Sequence, residues 1–469
     1  MKKEKYLARN IGLLTLSQFG SKILIFFLVP LYTYVLSTAE YGTYDLINVS
    51  VSLLMPIFTL NIMDSSLRFA LDEDTDKTDV FNISLRYYGI GLLIFTALLA
   101  LNRFIGLVPI IDEYAVFMWL MFAALAVAGV LSNYARGIDK VSATAVGGVI
   151  CTAVAIGLNL LFLLPLHMGL VGYFLANILG AVAQATYLFV AVRGWKLIAA
   201  HKPNKPLEKA MLTYSVPQVF TATAWWVNNA SDRYIVTWLC GLPAMGIYSV
   251  GYKIPAILNV FQTIFSQAWT LSAVKEYDPE DKNGFFAGLY NVYDFLMIFV
   301  CSGLIVFARV MATFLYSKDF YAAWQYVPLL TIAIVFGSMA GFIGGVFSAV
   351  KDAKAFASTT VVGAVVNVVL TVPLTWWIGP LGAAIGTAIS YVVVWVMRLV
   401  TMRKYIKMKL NLVRDITAYV ILIAQSVILL CFDKWDLVGW VLELVCLAAI
   451  PLLFRRECKA AWEKFTKKA

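Results

Sequence analysis

The chain has 469 residues, of which 61% are hydrophobic and only 14% charged, with a mean hydropathy of +0.81. That balance leaves too little polar surface for a soluble globule of this size and predicts an all-α integral membrane protein. The net charge of +10 is spread along the chain instead of gathered on a folded domain, so it marks topology and excludes a nucleic-acid footprint.

A basic N-terminal stretch leads into the first apolar window, residues 11–36, which is too long for the hydrophobic region of a signal peptide and carries Lys22 inside it, so it is an uncleaved first span. Windows of similar character follow at 42–63, 84–105, 114–135, 143–166, 169–193, 211–236, 244–270, 287–308, 325–349, 356–378, 380–401, 415–432 and 437–454. Each is long enough to cross about 30 Å of hydrocarbon as a helix. The fourteen crossings put both termini on one side. Thirty of the 37 Lys and Arg fall in the tails and every second gap, whereas the opposite gaps hold only Arg103, Arg309, Lys318 and Lys434. Since Lys and Arg are retained in cytoplasmic loops, both termini are expected in the cytoplasm and the chain in the inner (plasma) membrane as a multi-pass protein.

The gaps also exclude functions. No outer gap exceeds about fifteen residues, and the inner gaps 64–83, 194–210 and 271–286 are too short for a nucleotide-binding fold or a catalytic domain. There is no phosphate-cradling Gly-x-x-x-x-Gly-Lys-Ser/Thr run, and His167 and His201 lie far apart, so no His-based triad or zinc site is expected. The six cysteines show neither a disulfide framework nor metal spacing. The acidic run Asp72, Glu73, Asp74, Asp76, Asp79 lacks calcium-loop spacing and reads as a solvated loop. Catalytic residues, metals and cofactors are therefore not expected.

An internal repeat divides the chain. A shift of 204 residues superposes Glu40-Tyr41-Gly42-Thr43-Tyr44 on Ala244-Met245-Gly246-Ile247-Tyr248. A second pair of matches is longer: Asn159 with Pro165, Gly169 and Gly172 recurs as Asn367 with Pro373, Gly379 and Gly382, in each case a span end, a Pro-marked turn and a Gly-x-x-Gly that opens the next span. Two six-span repeats in the same orientation imply two bundles related by an axis normal to the membrane. The expected domains are 1–193, a linker at 194–210 with Pro203 and Pro206, 211–409, and a final helix pair with its tail at 410–469.

These repeats, together with Pro30 followed by Leu36-Ser37-Thr38-Ala39-Glu40-Tyr41-Gly42-Thr43-Tyr44, and with Ser231-Asp232-Arg233-Tyr234 followed by Gly246-Ile247-Tyr248-Ser249, resemble the polysaccharide transporter (O-antigen flippase-like) branch of the multidrug/oligosaccharidyl-lipid/polysaccharide exporter superfamily. The resemblance covers nearly the whole chain. It implies a V-shaped pair of six-helix bundles with two helices appended, and export of a lipid-linked oligosaccharide of the undecaprenyl-diphosphate type. Implied partners are that lipid-linked substrate, membrane lipids, a polysaccharide polymerase and glycosyltransferases. The multidrug antiporter and peptidoglycan-precursor flippase branches share the fold and stay open as alternatives.

A diphosphate headgroup is costly to move through hydrocarbon, because each unpaired polar group there costs several kcal/mol. A protein route for it needs polar faces and buried cations. Three cations fit neither loop set: Lys22, Arg233 and Lys253. Gln18 shares a helical face with Lys22, and Gln218, Asn229 and Asp232 follow a face of the seventh span. Asp45 and Asn48 lie in the second span and Gln262 in the eighth, so all ten residues are candidates to line one cavity. For Arg233 and Asp232, near the outer interface, snorkelling competes with that role. Arg68, Arg86 and Arg136, at inner span ends, either set topology alone or also collect the diphosphate at an inner mouth. Trp225-Trp226 and Trp376-Trp377 read as packing and interfacial anchors. Pro56 and Pro255 interrupt the second and eighth spans.

The cation count makes a direct prediction. An impermeant thiol reagent applied outside should label single cysteines placed at 316–319 and 433–436 but not at Lys202, Lys354 or Lys464; outside labelling at Lys202 would remove the fourteen-span topology.

Overall fold

The computed structural model describes residues 20, 24, 26–106, 109–199, 204–433, 436–455 and 457. Gln18, Lys22, His201, Lys202, Lys434 and the basic tails lie outside the described residues. In chain order the helices are α1 (Val29–Val35), α2 (Thr38–Phe58), α3 (Ile62–Ala70), α4 (Lys77–Ile105), α5 (Pro109–Glu113), α6 (Ala115–Gly137), α7 (Val141–Leu163), α8 (Gly169–Ala191), α9 (Gly194–Ala199) and α10 (Lys205–Gly251). They continue as α11 (Ala256–Lys275), α12 (Phe285–Val306), α13 (Ala308–Leu315), a 3-10 turn at Lys318–Gln325, α14 (Val327–Ala349), α15 (Ala353–Ile378), α16 (Pro380–Met402), α17 (Leu412–Cys431) and α18 (Leu437–Leu453). Among the described residues ten helices are long and apolar enough to cross a membrane, or eleven if the pair α2 and α3, bent by 59°, forms one span. Ala256–Ser266 and α18 are shorter apolar helices. The chain is an all-helical, multi-pass membrane protein.

Capping residues set several helix starts. Ser37 accepts from the Glu40 amide (3.2 Å) while the Glu40 carboxylate accepts from the Ser37 amide (2.8 Å), a reciprocal box that satisfies two first-turn donors of α2. Asp76 caps α4 through the Thr78 amide (2.7 Å), Asn411 caps α17 and Asp436 caps α18. The predicted inner gap 64–83 is consequently mostly helix: α3 runs to Ala70 and α4 starts at Lys77.

Contacts divide the chain into two compact units, Met1–Val227 and Asn228–Ala469. Helix α10 begins in the first and ends in the second. In the first unit the core joins Ile62, Met63, Phe81, Leu131, Tyr134, Leu188 and Met211 from α3, α4, α6, α8 and α10. The predicted linker 194–210 is tied down here. Asn82 Nδ2 donates to the Leu197 carbonyl (2.9 Å), Asn204 Nδ2 to Asp79 (2.8 Å), and Ser65 Oγ to the carbonyl of fully buried Met211 (3.0 Å).

In the second unit Trp269 stacks on Phe342 at 4.1 Å and donates Nε1 to the Phe342 carbonyl (2.7 Å), fixing α11 against α14. The packing of α15 on α16 is so close that a Cβ on Gly382 would stand 2.1 Å from the Leu374 carbonyl oxygen. Gly172 repeats this role between α7 and α8, where a Cβ would meet Phe162 Cβ at 2.9 Å. The preceding glycines of the two repeats, Gly169 and Gly379, have φ of +53° and +67°, a region that side chains with a Cβ disfavour. The Gly-x-x-Gly repeat is therefore a turn residue plus a contact residue in both halves.

Replacing Gly382 with Ala should cost about 1–3 kcal/mol by overpacking, whereas Gly157→Ala, where an added Cβ meets nothing within 4 Å, should be tolerated. Thermal unfolding of the two variants in detergent checks the contrast.

Candidate functional site

In the second unit, α10 is interrupted at Gly241, whose φ of 84° and ψ of 172° are not helical. The chain then turns again at 252–255, where Pro255 supplies no backbone donor, before α11 begins. These two breaks fold the end of α10 back beside its own middle and bring Tyr248 and Tyr252, one turn apart, against Asp232. Tyr248 donates its hydroxyl to Asp232 Oδ2 at 2.7 Å, Tyr252 donates to the same oxygen, and the Thr387 hydroxyl of α16 adds a third, longer contact at 3.4 Å. Asp232 is only 2% exposed. Beside it the Arg233 guanidinium lies over the Tyr252 ring at 4.9 Å, a cation–π geometry.

A second layer of polar groups surrounds this acid. Asn367 of α15, 1% exposed, donates Nδ2 to Thr387 (3.3 Å) and Ser390 (3.2 Å) and accepts from Ser231 (3.2 Å). Tyr391 donates to Asn229 Oδ1 at 2.6 Å. The sequence motif Ser231-Asp232-Arg233 and the repeat residue Asn367 thus belong to one hydrogen-bonded cluster that includes Tyr248 of the Gly-x-Tyr repeat. Lys253 is half-buried in the turn that follows Tyr252, not inside an unbroken helix. Gln262 lies on α11, with Nε2 3.8 Å from the position a Cβ would take on Gly341.

The first unit holds the other described candidates. Asp45 is buried and Asn48 half-buried on α2; next to Asp45, Tyr44 packs on Tyr173 at 4.1 Å. Gln218 is half-buried on α10. Trp226 donates Nε1 to the Val49 carbonyl at 2.9 Å, which joins α10 to α2 and makes this tryptophan a packing group. Trp376 and Trp377 are exposed at the end of α15. Arg68, Arg86 and Arg136 are all exposed, Arg68 and Arg136 in the last turns of α3 and α6. Arg86 is paired with Glu208, which also accepts from Tyr87 (2.7 Å). Gln18 and Lys22 lie outside the described residues.

Two sets of charges escape a reading by sequence alone. The cation count assigns Arg398 to an inner gap, but the structure buries it in α16 at 2% exposure. Its Nε and Nη2 donate to Thr359 (3.1 Å) and Thr360 (2.9 Å), its Nη1 donates to the Ala340 carbonyl (2.8 Å), and its guanidinium covers the Phe356 ring at 4.3 Å. No carboxylate pairs with it among the described residues. The second set is acidic: Asp294, Asp415 and Glu443 are each at most 4% exposed within α12, α17 and α18. The signal was present as a polar residue inside each apolar window, but only the packing of three distant windows shows them together.

Arg398 is a buried charge without a counter-ion, and such a group costs stability that an apolar side chain of similar size recovers. Both threonines also donate to carbonyls in their own helix and would not be orphaned. Arg398→Met should therefore keep or raise the melting temperature of the detergent-solubilised protein; a loss of several degrees would show that the guanidinium bonds hold α14, α15 and α16 together.

Residues 7–270, more than half of the chain, match the family described as Polysaccharide biosynthesis protein. No curated protein matches the chain. Among solved structures, the fold is similar to lipid II flippase MurJ in an inward closed conformation, with a TM-score of 0.71, 15% identity, and coverage of 94% of this chain and 98% of that one. It is also similar to an inward-facing multidrug resistance MATE family transporter of the MOP superfamily, with a TM-score of 0.68, 14% identity and coverage of 82% and 94%. A MOP superfamily transporter from Pyrococcus furiosus, described as having a binding pocket of reversed polarity, gives a TM-score of 0.58 at 14% identity over 84% and 95%.

Proposed function

The chain belongs to the polysaccharide biosynthesis protein family, and from that premise we propose that it is a flippase. It would move a polyprenyl-diphosphate-linked oligosaccharide from the inner to the outer leaflet by alternating access, for surface polysaccharide assembly. The observation that carries this reading is the polar cluster of the second unit, where Arg233 lies over the ring of Tyr252, a donor to the buried Asp232, and Lys253 follows in the next turn. Intramembrane charges are expensive to keep in hydrocarbon and by default mark a substrate or ion pathway. A headgroup with an anionic diphosphate and many hydroxyls needs cations and hydrogen-bonding side chains of this kind. No covalent step is part of the proposal.

We place fourteen crossings in the inner membrane, with both termini in the cytoplasm, on the strength of the Lys and Arg distribution. Lys22 is proposed to act with Lys253 on the diphosphate. The exposed Arg68 and Arg136 are proposed to draw it to the inner mouth, and Arg86 to do so in competition with Glu208. A second reading, flipping of a peptidoglycan lipid precursor, is favoured by the likeness in fold to the lipid II flippase.

With a cytoplasm-negative potential, outward movement of an anion is downhill by about 2.3 kcal/mol per charge per 100 mV, so a diphosphate carrying about two charges gains about 4–5 kcal/mol if the protein's cations stay behind. Polymerisation outside would add a pull by removing product. Asp45 and Asp232, both buried, are the acids at which a proton or sodium gradient would act if the potential alone does not suffice.

The test is leaflet exchange of a polyprenyl-diphosphate oligosaccharide in liposomes holding the reconstituted protein. An imposed potential should accelerate exchange, and the double variant Lys22→Gln, Lys253→Gln should abolish it with membrane insertion unchanged. Full exchange by the double variant would overturn the roles of the two lysines. Movement of a peptidoglycan precursor but not the oligosaccharide would select the second reading, and export of an organic cation but of neither lipid would select an antiporter.

A further inference from the structure

Helices α17 and α18 meet α12 along a buried polar seam that the flippase reading does not use. At one end, Arg414 donates to Asp415 Oδ1 from Nε (2.9 Å) and Nη2 (2.7 Å), donates Nη2 to Asn291 Oδ1 of α12 (2.8 Å), and pairs with Glu457. Its guanidinium lies over the Phe454 ring at 4.2 Å. One turn after Asp415, Tyr419 donates to Asp294 Oδ1 of α12 at 2.8 Å. Asp294 and Asp415 are both 0% exposed, and the Oδ2 atom of each has no hydrogen-bond partner among the described residues. The Tyr419 bond sets Asp294 of α12 against the turn of α17 that follows Asp415.

The charges here do not balance. Among the described residues, three carboxyls, from Asp294, Asp415 and Glu457, stand with the one guanidinium of Arg414, and Asn291, Tyr290 and Tyr419 are neutral. Lys409 and Arg455 do not contact either aspartate but line, with Arg414 and Glu457, a cavity of about 490 Å³ at this end of the seam. If both aspartates were ionised, two like charges would share a site closed to bulk solvent, each with an oxygen that accepts from none of the described residues. A proton on either Oδ2 removes one charge and turns an orphan acceptor into a donor.

We propose that Asp294 and Asp415 form a proton-binding site that holds one exchangeable proton between α12 and α17, loaded through the cavity at the Arg414 end. Farther along the same helices, Ser302 donates to Gln425 (2.8 Å) and Gln425 donates to Glu443 (3.2 Å), next to a pocket of about 20 Å³ lined by Arg309, Asp433 and Glu443. Fully buried Ile298 and Leu422 come in sequence between these groups and the aspartates. The polar groups therefore form two stations and not a continuous relay, so the first station stores a proton and does not conduct it. The site is independent of the substrate and can be tested without a flipping assay.

The full-length protein in lipid nanodiscs would be followed by infrared difference spectroscopy during pH steps. The expected result is a carboxylic acid C=O band that appears and vanishes reversibly with pH, shifts in D2O, and is lost in Asp294→Asn. A band that persists unchanged in Asp294→Asn, or the absence of any titrating carboxylic band in the wild type, overturns the proposal. If Asp294→Asn does not fold, Tyr419→Phe decides. Removing the hydroxyl that bonds to Asp294 should shift the band while leaving its amplitude, and an unmoved band overturns the assignment.

Discussion

Hydrocarbon offers no hydrogen-bond partner to a backbone that leaves the helix or to a charge that enters it. That constraint explains where this chain puts its irregular segments and what it gathers around them. The helix breaks inside predicted spans after Pro56, where Leu60 and Asn61 take positive φ, and before Pro255, and it breaks between the seventh and eighth predicted spans at Gly241. Near the first break the Asn61 amide returns to the Pro56 carbonyl at 2.8 Å, and Asn61 Nδ2 donates to Asp64 at 2.8 Å. Near the second and third, Tyr248 and Tyr252 bring their hydroxyls to Asp232. Side chains that would be expensive singly are made affordable together.

The same rule governs the appended helices. Arg414, Tyr419 and Gln425 of α17 pair with Asn291, Asp294 and Ser302 of α12, and Gln425 also bonds to Glu443 of α18. Apolar packing alone would not fix this face, because lipid tails compete with apolar side chains for every apolar surface. Polar pairs specify the register of α17 on α12. Small residues do the corresponding work between α15 and α16, where Gly382 and Gly386 admit backbone and Thr371 at distances that no Cβ allows.

Much of the fold was legible because membrane spans are written in composition. Helix underlies every predicted window from 42–63 onward, and the capping box at Ser37 and Glu40 was visible as part of a motif. The breaks were legible too: Pro56 and Pro255 flagged two of them, and Gly241 falls in the gap 237–243 left between the seventh and eighth windows. For the site, Asp232, Arg233, Asn229 and Asn367 were found as polar residues in apolar windows or as repeat positions, and Tyr248 as part of Gly-x-Tyr. Their shared geometry was not, since one helical period cannot reveal which side chains of the two segments joined at Gly241 meet. Arg398 was misassigned because a cation near a span end looks the same whether it faces water or Phe356. Asp294 and Asp415 stand 121 positions apart, beyond any local pattern.

The bond between Tyr248 and Asp232 has a consequence for how the protein is made. Asp, Arg and Lys oppose entry into the bilayer from the translocon by about 2.5–3.5 kcal/mol each at the centre of a helix, and by less near its ends, where Asp232 and Arg233 lie. The segment around Asp232 and Arg233 is therefore a poor candidate for insertion by itself, and so is the segment that ends at Lys253. Because the bond joins residues only sixteen apart across Gly241, both segments emerge from the ribosome almost together. They can enter the membrane as one hairpin with the acid already capped by tyrosine. Biogenesis at this point depends on the nascent chain turning at Gly241 before it leaves the translocon, which makes this turn glycine a determinant of yield.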